Sequence, residues 1–234
     1  MQHRKCIYCR GRKLSPAHVR SDGKTVVRCV DCGLMFLRDW PDDITSLYRD
    51  DYFDQTPPSN GQGASGEWHI PEVGYGTYAE IGPLEFRWQQ ALLRLFAGRP
   101  GVLLEGEAQE APRLLDVGCA NGSFLVLART DGYQTEGVEL LDVAASQARA
   151  RGLRVHSQPF EQVGKPGQYD VVTAWEFIEH VADLRAILSQ VRSLLGEGGV
   201  FLFSTPDAGT AAVEAQGDRW IGYRSSLEHL TYLT

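Results

Sequence analysis

Residues 114–124 read L-L-D-V-G-C-A-N-G-S-F, and this stretch decides how the rest of the chain is interpreted. The apolar run that carries Asp116 is typical of a buried strand, and the residues after Gly122 open a helical pattern. Gly118 and Gly122 lie in the turn between them, where a ligand can approach the backbone closely. The stretch therefore predicts a strand, a ligand-binding loop and a helix in succession.

Strand and helix patterns alternate along the rest of the chain. Such alternation indicates a parallel sheet covered by helices on both faces, in which ligands bind at the carboxyl ends of the strands. We therefore expect a Rossmann-like, doubly wound α/β fold with a mostly parallel sheet. The predicted strands cover residues 113–118, 135–140, 153–157, 169–175 and 199–204, and the predicted helices cover residues 84–96, 123–129, 144–152 and 184–195.

The composition is that of a globular protein, since 43% of the 234 residues are hydrophobic and 23% are charged. No apolar run approaches the roughly 18 residues that a membrane helix needs. The N-terminus has no apolar signal core behind its positive charges. These features predict a cytoplasmic protein without a membrane partner.

The net charge of −7 hides an asymmetry along the chain. Residues 1–40 hold nine Lys and Arg against three Asp and Glu, a net charge of +6, whereas residues 41–234 carry −13. A basic head on an acidic body suggests that the head contacts an anionic partner or docks on the body.

Four of the five cysteines form two C-x-x-C pairs within the first 32 residues. Two such turns joined by a short hairpin complete the tetrahedral sulfur site that Zn²⁺ prefers. We predict a zinc ribbon with structural zinc; free thiols and a redox pair are the alternatives. His3 and His18 are substitute ligands, although solvated surface positions are favoured for both. The predicted metal ligands are Cys6, Cys9, Cys29 and Cys32.

The chain is expected to divide into three parts. Residues 1–40 form the ribbon, residues 41–83 a connector, and residues 84–234 the main α/β domain. Within the connector, residues 42–53 can form a short acidic helix, and residues 56–67 are rich in Pro, Gly and Ser, which is typical of a mobile loop.

The glycine loop departs from the G-x-G-x-x-G fingerprint of dinucleotide-binding folds, because Ala120 and Ser123 stand in place of its second and third glycines. A carboxylate at Asp116 suits an ammonium or hydroxyl group and would repel a pyrophosphate. Glu139 follows Gly118 by 21 residues, at a strand end where a carboxylate can accept both hydroxyls of a ribose. These residues indicate a nucleoside with a cationic tail and no phosphate.

With these residues the chain resembles the class I S-adenosylmethionine-dependent methyltransferases. Residues 116–122 look like their first motif, residues 169–184 look like the fourth-strand motif of a bacterial small-molecule subgroup, and residues 194–206 are similar to the turn and strand that follow. The ribbon and the D-D-Y-F stretch also occur in that subgroup, as in sugar C-methyltransferases. The family usually continues beyond the position of Thr234, so we expect its C-terminal strands to be missing here.

The resemblance implies which residues hold the cofactor. The glycine loop would cradle the methionine part above Asp116, and Glu139 would bind the ribose. Leu140 would flank the adenine, residues 158–161 would lie by its edge, and Trp175 would border the sulfonium, with core packing as the alternative for Trp175. The implied cofactor-binding residues are Asp116, Gly118, Cys119, Ala120, Gly122, Glu139, Leu140, Phe160 and Trp175.

Methyl transfer to a hydroxyl or a carbon acid needs an aligned acceptor and a group that removes its proton. In the related sugar enzymes, the histidine at the position of His180 looks like this base. A helix-capping or supporting histidine is the alternative, and in some related quinone O-methyltransferases a similar E-x-x-E-H run is associated with a divalent metal. His229 is a weaker candidate in a segment that can line the acceptor pocket. The candidate catalytic residues are His180, Glu176 and Glu179.

These observations predict an enzyme that methylates an oxygen or carbon nucleophile of a small molecule, such as a sugar or another secondary metabolite. RNA methylation is an alternative, because zinc ribbons also occur on some ribosomal RNA methyltransferases, but the acidic body disfavours nucleic acid. A non-catalytic binding module with a truncated fold is a third interpretation.

Overall fold

The computed structural model describes residues 3–20, 22–41, 86–98, 111–224 and 229–234. These residues fall into two compact units. The first unit comprises the described parts of Met1–Arg49, Glu176–Leu188 and Phe203–Thr234, and the second comprises those of Asp50–Trp175 and Ser189–Leu202. Apart from Pro41, the connector predicted at residues 41–83 lies outside the described residues.

Strands and helices alternate through most of the described chain. The strands are β1 (Leu14–Val19), β2 (Thr25–Cys29), β3 (Met35–Leu37), β4 (Arg113–Val117), β5 (Gln134–Val138), β6 (Arg154–His156), β7 (Tyr169–Trp175), β8 (Leu195–Ser204) and β9 (Thr231–Tyr232). The helices are α1 (Arg87–Ala97), α2 (Ser123–Thr130), α3 (Asp142–Ala150), α4 (Leu184–Leu194), α5 (Ala211–Gln216) and α6 (Ile221–Arg224), with 3₁₀ turns at Phe160–Gln162, Ile178–His180 and Gly217–Arg219. Within the described residues, none of the helices has the length and apolar character needed to cross a bilayer.

The second unit contains a five-stranded sheet in the order β6-β5-β4-β7-β8. β4 pairs in parallel with β5 and with β7, and β5 pairs in parallel with β6. The strand order reverses between β4 and β7, and this topological switch point is where open α/β sheets bind ligands. In β7 six of the seven residues are buried, as expected of a strand covered on both faces. The predicted α/β fold with a mostly parallel sheet is therefore confirmed.

Helices α2 and α3 approach each other closely at Gly122, the residue before α2. A Cβ atom at Gly122 would lie 3.1 Å from the Cβ of Ala148 and would overlap the side chain of Leu153. Gly122 also has a φ of 77°, in the left-handed region that favours glycine. Packing and backbone conformation both require glycine at this position, which fixes where the loop after β4 enters its helix.

Helix α1, expected from the apolar stripe before residue 97, is attached to α2 and the strand that follows. Arg94 donates two hydrogen bonds of 2.8 Å to the carboxylate of the buried Asp131. The hydroxyl of Tyr133 donates to the carbonyl oxygen of Ala97 at 2.9 Å. These contacts hold α1 beside the helix that begins at the glycine loop.

The first unit contains a four-stranded antiparallel sheet in the order β1-β2-β3-β9. The β1–β2 hairpin joins the two C-x-x-C turns, as the sequence predicted. β9, from the last residues of the chain, pairs with β3 through Met35 opposite Tyr232 and Phe36 opposite Thr231. No local pattern indicates this pairing, because it joins residues almost 200 positions apart. The core of this unit includes Ile7, Val27, Phe36, Trp40, Leu230 and Tyr232.

Candidate functional site

The loop between β4 and α2 has a left-handed backbone conformation at three positions. Gly118 has a φ of 73°, Gly122 a φ of 77° and Ala120 a φ of 46°. A residue with a Cβ atom is strained in this region by roughly 1–2 kcal/mol. Because such strain is concentrated at functional sites, the conformation of Ala120 supports the loop as the candidate ligand site.

The N–H groups of this loop attach it to the carboxyl end of β5. Those of Gly118 and Cys119 both donate to the carbonyl oxygen of Val138, at 2.9 and 3.0 Å. That of Ala120 donates to Oε2 of Glu139 at 3.0 Å. These three N–H groups already have acceptors inside the protein, so they are not available to a ligand. The loop can still let a ligand approach the backbone closely.

Glu139 follows β5 directly and is 9% exposed. Its Oε2 accepts from Ala120, and its Oε1 accepts from the N–H of Leu141 at 2.8 Å. Burial raises the pKa of Glu139, whereas the backbone donors lower it. A carboxylate oxygen has two lone pairs, so each oxygen keeps acceptor capacity for a further donor such as a ribose hydroxyl.

Asp116 lies in β4, two residues before Gly118, and is 2% exposed. The hydroxyl of Thr173 in β7 donates to its Oδ1 at 2.6 Å. Burial raises the pKa of Asp116 from 3.8 to about 7, the Thr173 hydrogen bond lowers it, and the Glu139 carboxylate raises it. Two interacting buried carboxyl groups favour a cationic ligand, because positive charge would stabilise both in their ionised form.

Thr173 was not among the predicted site residues. It is a hydroxyl side chain within the otherwise apolar end of β7 and is completely buried. Buried hydroxyls are almost always hydrogen-bonded, so this single polar residue was the signal from which the contact with Asp116 could have been inferred.

Trp175 ends β7 on the same face as Thr173, since side chains two residues apart on a strand share a face. Its indole packs edge-on against Phe124 and Trp88, with ring centroids 5.2 and 5.5 Å apart. The indole Nε1 is buried and has no hydrogen-bond acceptor among the described residues. Trp175 therefore packs in the core, and its indole N–H can donate a hydrogen bond to a ligand oxygen.

The other predicted cofactor residues follow the same strands. Leu140 comes directly after Glu139 and is 53% exposed. Phe160 begins the 3₁₀ turn that follows β6 and is buried. Cys119 is buried against Gly137, and burial raises the pKa of its thiol well above the ordinary value. A neutral, enclosed thiol supports a packing role for Cys119 rather than a redox role.

The predicted catalytic residues lie in the first unit, directly after β7. Glu176 has a φ of 49°, a strained conformation for a residue other than glycine, and its N–H donates to the carbonyl oxygen of Ser204 at 3.1 Å. Glu179 and His180 belong to the 3₁₀ turn. Glu179 is 2% exposed, and burial raises its pKa to about 8. Nε2 of His180 lies 3.9 Å from Oε1 of Glu179, too far for a hydrogen bond.

His229 packs against His180 within the same unit. The two imidazole centroids are 4.9 Å apart with their planes at 83°. Burial, followed by the neighbouring His180 and Arg20, lowers the pKa of His229 to about 3, so its imidazole is uncharged at neutral pH. One ligand atom each from Glu179, His180 and His229 lie within 4.8 Å of one another. This arrangement is compatible with proton transfer and with a divalent cation.

The four predicted zinc ligands converge in the first unit. Sγ of Cys6 lies 3.6 Å from Sγ of Cys32, and Sγ of Cys9 lies 3.5 Å from Sγ of Cys29. All four sulfurs lie within 4.8 Å of one another. Zn–S bonds of about 2.3 Å in a tetrahedron place the sulfurs about 3.8 Å apart. The cluster therefore has the dimensions of a zinc site, and its sulfurs are too far apart for disulfides.

His3 and His18, the substitute ligands, pack against aromatic rings. His3 lies 3.8 Å from Trp40 and His18 lies 3.9 Å from Tyr223, measured between ring centroids. Both histidines are half-buried, so the expectation that they are solvated surface residues was wrong. The His18 ring is stacked on its neighbour and the His3 ring is tilted by 30°, so each imidazole is partly shielded from water by an aromatic ring.

A family model described as a methyltransferase domain matches residues 84–234. The chain belongs to the class I S-adenosylmethionine-dependent methyltransferases. This confirms the family that the sequence motifs predicted. The matched region contains the glycine loop, the 3₁₀ turn with His180 and the segment with His229.

Curated relatives of this methyltransferase include proteins named ubiquinone biosynthesis O-methyltransferase. The ubiquinone biosynthesis O-methyltransferase of Bordetella bronchiseptica is 29% identical over 160 residues, which cover 65% of this chain and 61% of that protein. The enzyme of the same name from Psychrobacter arcticus is 31% identical over 154 residues, covering 60% and 59%. The chain thus spans about three-fifths of the length of these curated relatives.

Solved structures of methyltransferases are also similar to this chain. The sugar N-methyltransferase KedS8 from a Streptoalloteichus species aligns with a TM-score of 0.45 and 23% sequence identity. The alignment covers 66% of this chain and 60% of KedS8.

The groups at the ends of β4, β5 and β7 fit the chemistry of S-adenosylmethionine. The carboxyl group of Asp116 suits the ammonium group of the methionine part, and the remaining acceptor sites of Glu139 suit ribose hydroxyls. The indole N–H of Trp175, which lacks an acceptor among the described residues, suits an oxygen of the ligand. The second unit therefore has carboxyl groups that suit the ammonium and hydroxyl groups of a zwitterionic nucleoside, and an N–H donor that suits one of its oxygens.

Proposed function

We propose that this methyltransferase transfers a methyl group from S-adenosylmethionine to an oxygen or carbon nucleophile of a small molecule, such as a sugar or another secondary metabolite. The pair of buried carboxyl groups at Asp116 and Glu139 is the observation that carries the proposal, because it suits a cationic nucleoside. The names of the Bordetella and Psychrobacter relatives favour oxygen as the accepting atom.

The residues of the second unit would bind and orient the cofactor. Bound S-adenosylmethionine supplies a methyl group on a positively charged sulfur, which needs no further activation. Asp116 would accept a hydrogen bond from the ammonium group, Glu139 would accept from the ribose, and Trp175 would donate to a ligand oxygen. The Trp175 contact would satisfy a buried donor, and the two buried carboxyl groups favour a cationic ligand over a neutral or anionic nucleotide.

His180 is the proposed proton acceptor. It follows Trp175 by five residues, so the chain leads to it directly from the end of β7. Among its neighbours, Glu179 holds a proton at neutral pH because its pKa is about 8, and His229 is a weak base because its pKa is about 3. A general base must be unprotonated before the step and basic enough to take the proton. At neutral pH Glu179 fails the first condition and His229 the second, so His180 is proposed in preference to either neighbour.

The cluster of four cysteines in the ribbon is proposed to bind one structural zinc. Its four sulfurs have the right number and spacing. The N–H groups of Tyr8 and Gly11 also donate to the sulfurs of Cys6 and Cys9, both at 3.4 Å. Such donors stabilise the thiolate charge that metal binding requires.

Calorimetric titration with S-adenosylmethionine tests the cofactor site. We expect micromolar affinity, and Glu139→Ala should weaken it by about 10- to 100-fold, because a charged acceptor of two hydroxyls is worth roughly 1.5–3 kcal/mol. Glu197→Ala, at an exposed glutamate of β8 that is not among the proposed cofactor residues, is the matched control and should bind as the wild type does. Tighter binding of NAD, or no effect of Glu139→Ala, would refute the assignment. Transfer of labelled methyl groups to a panel of phenols and sugars then tests the reaction.

A further inference from the structure

The last residues of the chain connect the ribbon sheet to the turn that carries His180. On the ribbon side, the N–H of Leu37 donates to the carbonyl oxygen of Leu230 at 2.8 Å, next to the β3–β9 pairing. On the other side, the N–H of Leu230 donates to the carbonyl oxygen of Glu179 at 2.7 Å. The hydroxyl of Thr231 also donates to the carbonyl oxygen of Ile178 at 2.9 Å. The segment 229–232 is therefore hydrogen-bonded to both neighbours at once.

Arg20 is the ribbon residue that holds the start of this segment. It follows β1 directly and is 3% exposed, although it belongs to the basic head. Its Nη1 donates to the carbonyl oxygen of His229 at 3.3 Å and to the hydroxyl of Tyr232 at 3.1 Å. The Tyr232 hydroxyl in turn donates to the same carbonyl oxygen at 3.2 Å. Asp22 accepts from Nη2 of Arg20 at 3.1 Å and balances its charge.

The hydrogen-bond partners of Arg20 indicate what this buried arginine does. Burying a guanidinium costs free energy unless its hydrogen bonds and its charge are satisfied. Here two of the acceptors belong to His229 and Tyr232, which lie more than 200 positions away in the chain. The folded unit therefore uses Arg20 to fix the backbone at His229, and the imidazole of that residue packs on His180.

We propose that Arg20 is a positioning residue for the proposed active site, holding His229 against His180 through the backbone of the C-terminal segment. The inference rests on the proposed function, because it gives His180 a catalytic role. It also assigns an internal function to part of the basic head, for which the sequence suggested an anionic partner or docking on the body.

The experiment compares Arg20→Met with Arg12→Met in the full chain. Both substitutions remove a guanidinium from the ribbon, but Arg12 is exposed and serves as the control. Amide hydrogen exchange at Leu230 and the imidazole NMR signals of His180 and His229 report the position of the segment. The imidazole of His156, which is hydrogen-bonded to Glu136 in the second unit, is the internal reference.

In Arg20→Met, exchange at Leu230 should accelerate by about tenfold or more, since the segment loses its hydrogen bonds from the charged guanidinium. The signals of His180 and His229 should shift or broaden, while the His156 signal stays unchanged. Affinity for S-adenosylmethionine should remain within about twofold of the wild type, and Arg12→Met should match the wild type in every measurement. Unchanged His180 and His229 signals in folded Arg20→Met, or equal effects in Arg12→Met, would overturn the inference.

Tyr232→Phe decides the question if Arg20→Met does not fold. It removes the hydroxyl that connects Arg20 to the carbonyl oxygen of His229 and keeps the ring in the core. It should disturb the same two imidazole signals more weakly, and an unchanged His229 signal would again overturn the inference. Wild-type turnover by His180→Asn would instead contradict the proposed base. The NMR signals of His180 and His229 in Arg20→Met would still test the role of Arg20 on their own.

Discussion

Replacing Asp116 with asparagine is expected to stabilise the cofactor-free protein more at alkaline than at acidic pH. Asp116 is 2% exposed and accepts a 2.6 Å hydrogen bond from the hydroxyl of Thr173. Asparagine keeps an acceptor oxygen for Thr173, so the substitution removes the charge and retains this contact. The same substitution should weaken binding of S-adenosylmethionine, because the ammonium group loses its charged partner.

The magnitude follows from the pKa of Asp116, which burial raises from 3.8 to about 7. Between these values the folded protein binds more protons than the unfolded chain, so the free energy of unfolding falls as the pH rises. From pH 5 to pH 8 the wild type should lose about 2 to 3 kcal/mol through this group, at about 1.4 kcal/mol per pKa unit. Asparagine does not titrate, and the cost of burying its amide is the same at both pH values.

Urea unfolding of both proteins at pH 5 and pH 8 measures this difference. The stability of Asp116→Asn relative to the wild type should increase by about 2 to 3 kcal/mol between the two conditions. Asp142→Asn, at an exposed position in the first turn of α3, is the matched control and should follow the wild type. Parallel pH dependence of Asp116→Asn and the wild type would refute the reasoning, because a group that is already ionised at pH 5 causes no such loss.

Three further outcomes are expected. His180→Asn should lower turnover by about 10²–10⁴-fold, the usual contribution of a general base, with cofactor affinity within about threefold by calorimetry; wild-type turnover by the folded variant would exclude this base. Gly137→Ala should lower the free energy of unfolding by about 1–3 kcal/mol, because its Cβ would lie 2.5 Å from Sγ of Cys119. Adding Cys119→Ala should recover part of that loss, because it removes Sγ but leaves the side chain of Leu125 at 2.9 Å; no recovery at all would contradict the proposed clash. Metal analysis should find about one zinc per chain, absent from the Cys6→Ser, Cys9→Ser double variant; a folded full-length protein without zinc contradicts the ribbon proposal.

Local patterns were sufficient for many of the strands and helices. The strand predicted at residues 169–175 has the bounds of β7, and the helix predicted at residues 184–195 differs from α4 by one residue. Apolar periodicity reports which face of an element is buried, and glycines mark where it ends. Both signals are contained within a few consecutive residues, so no knowledge of the tertiary fold was needed.

The candidate site was only partly accessible to the same reasoning. Asp116 was a candidate because it lies near a strand end just before the glycine loop, and Glu139 because it follows the next strand, 21 residues after Gly118. The contact of Thr173 with Asp116 joins residues 57 positions apart, and spacing along the chain does not encode it. That the indole N–H of Trp175 has no acceptor within the described part of the chain likewise became visible only when its neighbours were known.

The sequence by itself determined the methyltransferase family, the alternation of strands and helices, and the pair of C-x-x-C turns, because motifs and periodicity are local properties. Only the tertiary structure decided that β9 completes the ribbon sheet and that His229 lies against His180. It also decided that a buried arginine of the basic head binds the C-terminal segment. These contacts depend on which distant segments bury each other's polar groups, and that choice is made by the free energy of the whole folded unit rather than by any one stretch of sequence.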